Sequence, residues 1–170
     1  MRPWQETMEK LRARTPEPGL ANPGHAAKLG GLDLLQAMIR GEVPDPPITR
    51  TLDFYLLEVE RGRAVFQGEP KFAHYNPIGS VHGGWHAALL DSAMACAVHT
   101  LVEPGAGYTT LEFKVHCVRP LTEKSGPVRA EGRVVASGRR TATAEGRLVD
   151  AEGRLYSHGT TTCLFVEAAA

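Results

Sequence analysis

The residue pattern of this chain predicts an α+β fold in which one antiparallel β-sheet curls around a single buried α-helix. Three observations carry that prediction. Across residues 85–102 nearly every side chain is Ala, Leu, Met, Val or Cys, so a helix there is apolar almost all round and lies inside the molecule. Two segments rich in β-branched and aromatic residues precede it and four follow, all bounded by turn residues. In several of these, apolar and polar positions alternate, as in Val128, Ala130, Gly132 and Val134 against Arg129, Glu131 and Arg133, the mark of a sheet with one buried face. A lone apolar helix followed by a long meander is accommodated by wrapping the sheet around the helix.

The 170 residues suit one domain with a substantial core. Residues 1–46 read as an N-terminal extension. Its first thirty residues mix charges with Pro18, Pro23 and Gly24, which predicts a loosely packed lead-in with one short helix near residues 6–12. Leu32, Leu35, Met38 and Ile39 then recur at helical spacing, giving a short amphipathic helix that stops at Gly41. The Pro44, Pro46, Pro47 cluster after it reads as a stiff linker. The main domain spans 47–170. Its first two strands, TLDFYLLEVE and RAVFQGEP, are split by Arg61 and Gly62 and form an antiparallel pair. The buried helix ends before Pro104 and Gly105. YTTLEFKVHCVR, GPVRAEGRVVAS, RTATAEGRLVD and RLYSHGTTTCLFV supply four further strands, with turn chemistry between them.

Composition excludes several functions. Lys plus Arg and Asp plus Glu number 19 each, so no long-range field favours nucleic acid or an acidic membrane surface. Cys96, Cys117 and Cys163 lie in apolar segments without CxxC spacing and read as reduced, buried thiols. No segment has the apolar run of a signal peptide or a membrane span, which points to the cytoplasm.

Chemistry concentrates in residues 76–91, NPIGSVHGGWHAALLD, where an Asn and a His-Gly-Gly turn open the apolar helix and one carboxylate interrupts it. Gly83 and Gly84 begin the helix, where unpaired N–H groups and the positive end of the dipole face outward and a substrate oxygen can come close. Taken alone, the same glycines make a tight turn and Asn76 caps the helix. Asp91 has Leu89, Leu90, Ala93 and Met94 as neighbours, so its charge is costly to desolvate and its pKa is expected to rise. That makes it a candidate base.

These residues, N-x5-H-G-G-x6-D followed by a strand ending in Arg119-Pro120 and by Ser137-Gly138-Arg139-Arg140 between strands, resemble the PaaI-like (phenylacetic acid degradation type) hotdog-fold acyl-CoA thioesterases. The resemblance covers roughly residues 47–166. It implies hydrolysis of an acyl-CoA to free acid and coenzyme A, with no cofactor beyond the coenzyme carried by the substrate. It also implies that the Gly83 amide and the Asn76 side chain hold the thioester carbonyl, that His82 braces the turn, and that Asp91 is general base or nucleophile. Thr110 would orient the attacking water. Ser137, Gly138, Arg139 and Arg140, with Arg119, would hold the nucleotide phosphates, which guanidinium groups match well. Bulky Trp85 after the glycines departs from the family and is expected to reshape the acyl pocket.

Gly83 and Asp91 stand eight residues apart, about 12 Å along a helix, so one thioester cannot reach both in one chain. The site therefore calls for a second subunit, in a homodimer or dimer of dimers. The residues 32–39 helix would form a lid or wall at the acyl end. Other readings are weaker. His82 and His86 share the spacing of a zinc pair, but HGGWH lacks a Glu and no third ligand is evident, so no metal is expected. No serine sits in a G-x-S-x-G elbow. An acyl-CoA hydratase or dehydratase, and an acyl-CoA binding or sensing protein without turnover, remain the alternatives.

Overall fold

The computed structural model describes residues 2–14 and 17–166, so the last four residues of the 47–170 domain lie outside the described part. Strands β1 (Phe54–Glu60), β2 (Arg63–Gly68), β3 (Gly107–Cys117), β4 (Val128–Ser137), β5 (Thr141–Asp150) and β6 (Leu155–Val166) form one sheet in the order β1-β2-β4-β5-β6-β3. All neighbouring pairs are antiparallel. The apolar segment is helix α5 (Gly83–His99), which lies in the concave face of the sheet. The expected fold is thus the one observed. Leu89, Leu90 and Met94 of α5 are fully buried with Phe54, Leu56, Leu121, Val128 and Leu148.

The sheet is thinned where α5 crosses it. Gly132 and Gly146 are directly opposed in the β4–β5 register. A Cβ on Gly132 would stand 2.3 Å from the Ala93 carbonyl oxygen, and one on Gly146 would stand 2.8 Å from Met94 Cγ. Ala130, Ala144, Ala93 and Ala97 complete this layer of small residues. The helix can approach this closely only because those positions carry little or no side chain.

The N-terminal part corrects the expectation of a loose lead-in. Helix α1 (Arg2–Arg14) is twice as long as the short helix expected and is packed down, with Met8 and Leu11 buried against Tyr55 of β1. Arg12 bridges Asp53 and Glu69, Lys71 pairs with Asp53 at 3.0 Å, and the Arg129 guanidinium lies 4.1 Å over the Trp4 ring. The partners of α1 itself are about forty to more than a hundred positions away, beyond the reach of a local composition signal. After the short helix α2 (Pro23–Ala26), α3 (Gly31–Ile39) matches the amphipathic helix expected there. The proline linker is in part a helix, α4 (Pro47–Leu52), with Pro47 in the first turn, where a missing N–H costs nothing. Strand β1 consequently starts at Phe54 rather than Thr51, after Asp53 reverses the chain at φ 52°, a left-handed conformation aspartate tolerates. Cys117 is exposed, contrary to the buried thiol expected, because β3 lies at the sheet edge; Cys96 is half-buried and Cys163 buried.

Gly132→Ala should destabilise the fold by about 1–3 kcal/mol or more, since the new methyl meets backbone rather than a movable side chain. Urea unfolding monitored by circular dichroism checks this; an unchanged midpoint would mean that α5 is free to move off the sheet.

Candidate active site

Helix α5 opens on His82, whose backbone is extended (φ −61°, ψ 138°) and whose Nδ1 accepts a hydrogen bond from the Gly84 N–H at 2.9 Å. The cap is therefore His82 and not Asn76, and its acceptor role at Nδ1 leaves the ring proton on Nε2. Asn76 has a different local task. Its Oδ1 accepts from Ile78 N and Ser80 N at 3.0 and 3.2 Å, and its Nδ2 donates to Ser80 Oγ at 3.1 Å. The loop so closed is tied down by Val81 N to Leu121 O and His82 N to His74 O, both 2.8 Å. His82, Gly83 and Gly84 are all exposed, so the first-turn N–H groups of α5 open outward.

Asp91 lies two turns further along, half-buried, and Thr110 Oγ1 of β3 donates to its Oδ1 at 3.3 Å. Thr110 borders the irregularity in the β3–β6 ladder between Thr110 and Glu112. Burial pushes the Asp91 carboxyl above the ordinary carboxylate range, with the Thr110 hydrogen bond opposing it. Beside Asp91 is a pocket of about 200 Å³, walled by Leu35 and Met38 of α3, Phe54 and Phe66 of the first hairpin, and Tyr108 of β3. Helix α3 thus supplies one wall of this pocket. Trp85 does not line it. It is buried, with Nε1 donating to Leu52 O at 2.8 Å and its ring stacked 5.6 Å from that of His74. Cys96 borders the pocket too, but burial pushes its thiol up to about 12 and leaves it unreactive.

His86 turns inward from His82. Its Nδ1 is 2.6 Å from Ser157 Oγ, and burial lowers its pKa to about 4, so it stays neutral. His82 is exposed and His86 buried, each with its Nδ1 engaged.

The two halves of the sequence-predicted site are apart within one chain. Asp91 and Thr110 sit near the first half of β3, whereas Gly83 lies by its far end, where Cys117 Sγ is 3.9 Å from the position a Gly83 Cβ would take. The basic residues also divide. Ser137, Gly138, Arg139 and Arg140 make the β4–β5 hairpin, closed by Gly138 N to Thr141 O at 2.8 Å. They line an open groove of about 950 Å³ with Arg61 from the β1–β2 turn, a residue that sequence reasoning missed because only the sheet order brings those turns together. Arg119 is at the opposite end of the sheet, with Nε donating to Leu155 O at 3.4 Å, so it does not join Arg139 and Arg140 in one chain.

A sequence profile of the thioesterase superfamily matches residues 78–157, which contain Gly83, Asp91 and Thr110. The chain is also similar to the crystal structure of a phenylacetic acid degradation-related protein from Ralstonia eutropha, with 31% identity, a TM-score of 0.70, and 76% of this chain and 98% of that one covered. The chain belongs to the thioesterase superfamily. Within it, the PaaI-like hotdog type is indicated by likeness to a variant of the phenylacetic acid degradation protein PaaI from Thermus thermophilus, at 34% identity, a TM-score of 0.63, and coverage of 69% of this chain and 97% of that one. A 1,4-dihydroxy-2-naphthoyl-CoA hydrolase from Listeria monocytogenes is 25% identical over 108 residues, which are 64% of this chain and 86% of that protein. The protein is a PaaI-like hotdog thioesterase, a thioester hydrolase. No helix among its described residues is long and apolar enough to cross a membrane.

The burial of Asp91 in this thioesterase has a consequence for stability. Its folded pKa lies above the unfolded value, so the folded state holds the proton to higher pH, and stability falls as pH rises between the two values. Asp91→Asn has no proton to lose and escapes that fall. In thermal melts across about pH 4 to 8, the variant's advantage should open above the ordinary aspartate value and then level off. A gap independent of pH would contradict the raised pKa.

Proposed function

We propose that the thioesterase hydrolyses acyl-CoA, releasing a carboxylic acid and coenzyme A, with Asp91 as general base. The observation that carries this is the half-buried Asp91 carboxylate, hydrogen-bonded by Thr110 at the mouth of a pocket of acyl-group size. A raised pKa brings a carboxylate closer to the basicity that proton transfer at neutral pH requires. Asp91 takes a proton from water while the water oxygen attacks the thioester carbonyl, and the Thr110 hydroxyl orients that water. The tetrahedral oxyanion is held by the Gly83 N–H and by the second N–H of Asn76 Nδ2, at a helix end whose dipole favours negative charge. Collapse breaks the C–S bond, and Asp91 returns the proton to the departing thiolate. His82 keeps the first turn of α5 in place through Gly84.

Gly83 and Asp91 serve one thioester if two subunits share the site. Strand β3 supports that reading: it is an eleven-residue edge strand, with Leu111 and Phe113 exposed, which a second copy can cover. A twofold axis near the middle of β3 exchanges its ends and brings Gly83 of the partner subunit towards Asp91. The protein would then work as a homo-oligomer, a dimer or dimer of dimers, and its free thiols suit the cytoplasm. Arg139 and Arg140, with Ser137 and Gly138 beside them and Arg61 across the groove, would hold the coenzyme phosphates. Arg119, near the α5 N-terminus, could reach a phosphate only from another subunit.

Asp91→Asn should lower turnover by roughly 10²–10⁴ with the fold intact, read by a free-thiol assay on acyl-CoA. Gly83→Pro removes the N–H at a first-turn position, where proline is tolerated and a Cβ meets ordinary contact distances. It should also be nearly inactive, yet mixing the two variants should restore part of the activity in hybrid sites. No recovery after verified subunit exchange would rule out a shared site.

Replacing both Arg139 and Arg140 with Ala should mainly raise KM for acyl-CoA, since phosphate contacts are the same in ground and transition states. The effect should shrink on a pantetheine thioester that lacks the nucleotide. Equal losses on both substrates would assign the arginines to structure instead.

A further inference from the structure

Edge strand β3 carries an exposed triplet, Glu112, Phe113 and Lys114, just past the irregularity in its ladder with β6. Phe113 is 44% exposed although it stands opposite buried Thr161, on the face by which Val115 and Cys163 join the core. Glu112 and Lys114 belong to the other face, opposite Thr162 and Thr160. Neither charged side chain makes an ion pair or a hydrogen bond among the described residues. The other edge of the sheet differs: Glu58 and Glu60 of β1 are both acidic, and both already pair with Arg63.

A second copy that adds to β3 antiparallel, with its own α5 on the same side of the joined sheet, must oppose residues of like face, because a one-residue slip inverts every side chain. The twofold axis then passes through a residue of β3 and not between two. The charges choose that residue. An axis at Glu112 sets it against Glu112 of the partner subunit, and an axis at Lys114 sets it against Lys114 of the partner subunit, like charges in both cases. An axis at Phe113 instead joins the two phenyl rings and places each Glu112 opposite Lys114 of the partner subunit, giving two opposite-charge pairs.

The two halves of the site choose the same register. Thr110, which bonds Asp91, is three residues before Phe113, and Cys117, which borders Gly83, is four after it. An axis at Phe113 thus brings Cys117 of the partner subunit, with the partner's Gly83 beside it, within one residue step of Thr110 along the strand, about 3.4 Å.

We propose that β3 is a self-complementary joint, in which two copies pair antiparallel with Phe113 on the twofold axis and Glu112 ion-paired with Lys114 of the partner subunit. This pairing fixes the register at which Asp91 meets the partner's Gly83, and it rests on the shared-site reading of those two residues.

Phe113→Cys should give a disulfide-linked dimer under mild oxidation, because directly opposed positions on antiparallel strands lie within disulfide range. Glu112→Cys and Lys114→Cys, each two steps from its own copy, should not. Wild type should stay unlinked although Cys117 is exposed on the same strand, since its two copies stand eight steps apart, roughly 27 Å. In sedimentation equilibrium, Glu112→Lys and Lys114→Glu should each raise the dissociation constant about tenfold or more, because each turns both ion pairs into repulsions. Mixing these two variants should restore association, since every opposed pair is then Lys with Glu, and salt should narrow the differences. A monomeric wild type, linkage at 112 or 114 in place of 113, or charge reversals without effect overturns the proposal. These assays read assembly without turnover, so a dimer joined at Phe113 that hydrolyses no thioester would refute the reading of Asp91 and leave the joint standing.

Discussion

The close approach of α5 to the sheet is the constraint on which the rest of this thioesterase depends. Gly132 and Gly146 let the helix backbone at Ala93 and the side chain of Met94 come down onto β4 and β5. Asp91 is two residues before Ala93, so its depth and direction are set by that contact. If the helix rode a side chain higher, Asp91 would lie further from Thr110 on β3 and from the pocket that Phe54 and Phe66 floor. A packing feature that involves no polar side chain thus positions the carboxylate proposed as the base.

That position sets stability against function. An aspartate half out of water, with one hydrogen bond from Thr110, keeps its proton longer than an exposed one. The same burial lowers the stability of the ionised protein and raises the basicity of the group. At the other end of α5 the opposite arrangement holds: His82, Gly83 and Gly84 are exposed, and the dipole meets solvent or substrate instead of protein. One helix therefore carries the proposed base in its interior and the proposed oxyanion donor at its tip. Because the helix is rigid, the proposed roles can be joined at a single carbonyl only across an interface between subunits.

The N-terminal segment is as much a part of the site as the core. Helix α1 is bonded to β1 and β2 through Arg12, Trp4 and Met8, and Arg14 carries that anchorage to Asp45 in the pocket wall. With α3 supplying Leu35 and Met38, the segment closes one side of a pocket whose other walls belong to the sheet and α5. On the proposed function, variation in this segment changes which acyl group fits without touching Asp91, Gly83 or the β4–β5 hairpin.

Local pattern carried the architecture far. Alternation in β4 and β5, turn residues at Gly62 and Gly138, and the apolar run of α5 are short-range signals, and a sheet with one buried face must obey them. The Asn76, His82-Gly83-Gly84 and Asp91 register was equally readable, because helix geometry converts residue spacing into distance. Contacts between distant segments were not readable in this way. Composition could not show that the polar stretch before Arg14 packs on β1, that Arg61 faces Arg139 and Arg140 while Arg119 does not, or that Trp85 turns away from the pocket. Nor could it show that Asp45 enters the pocket of Asp91, forty-six positions later in the chain. Periodicity records which face of an element is buried; which other element covers that face follows from strand order and packing, where residues far apart in the chain compete for the same space.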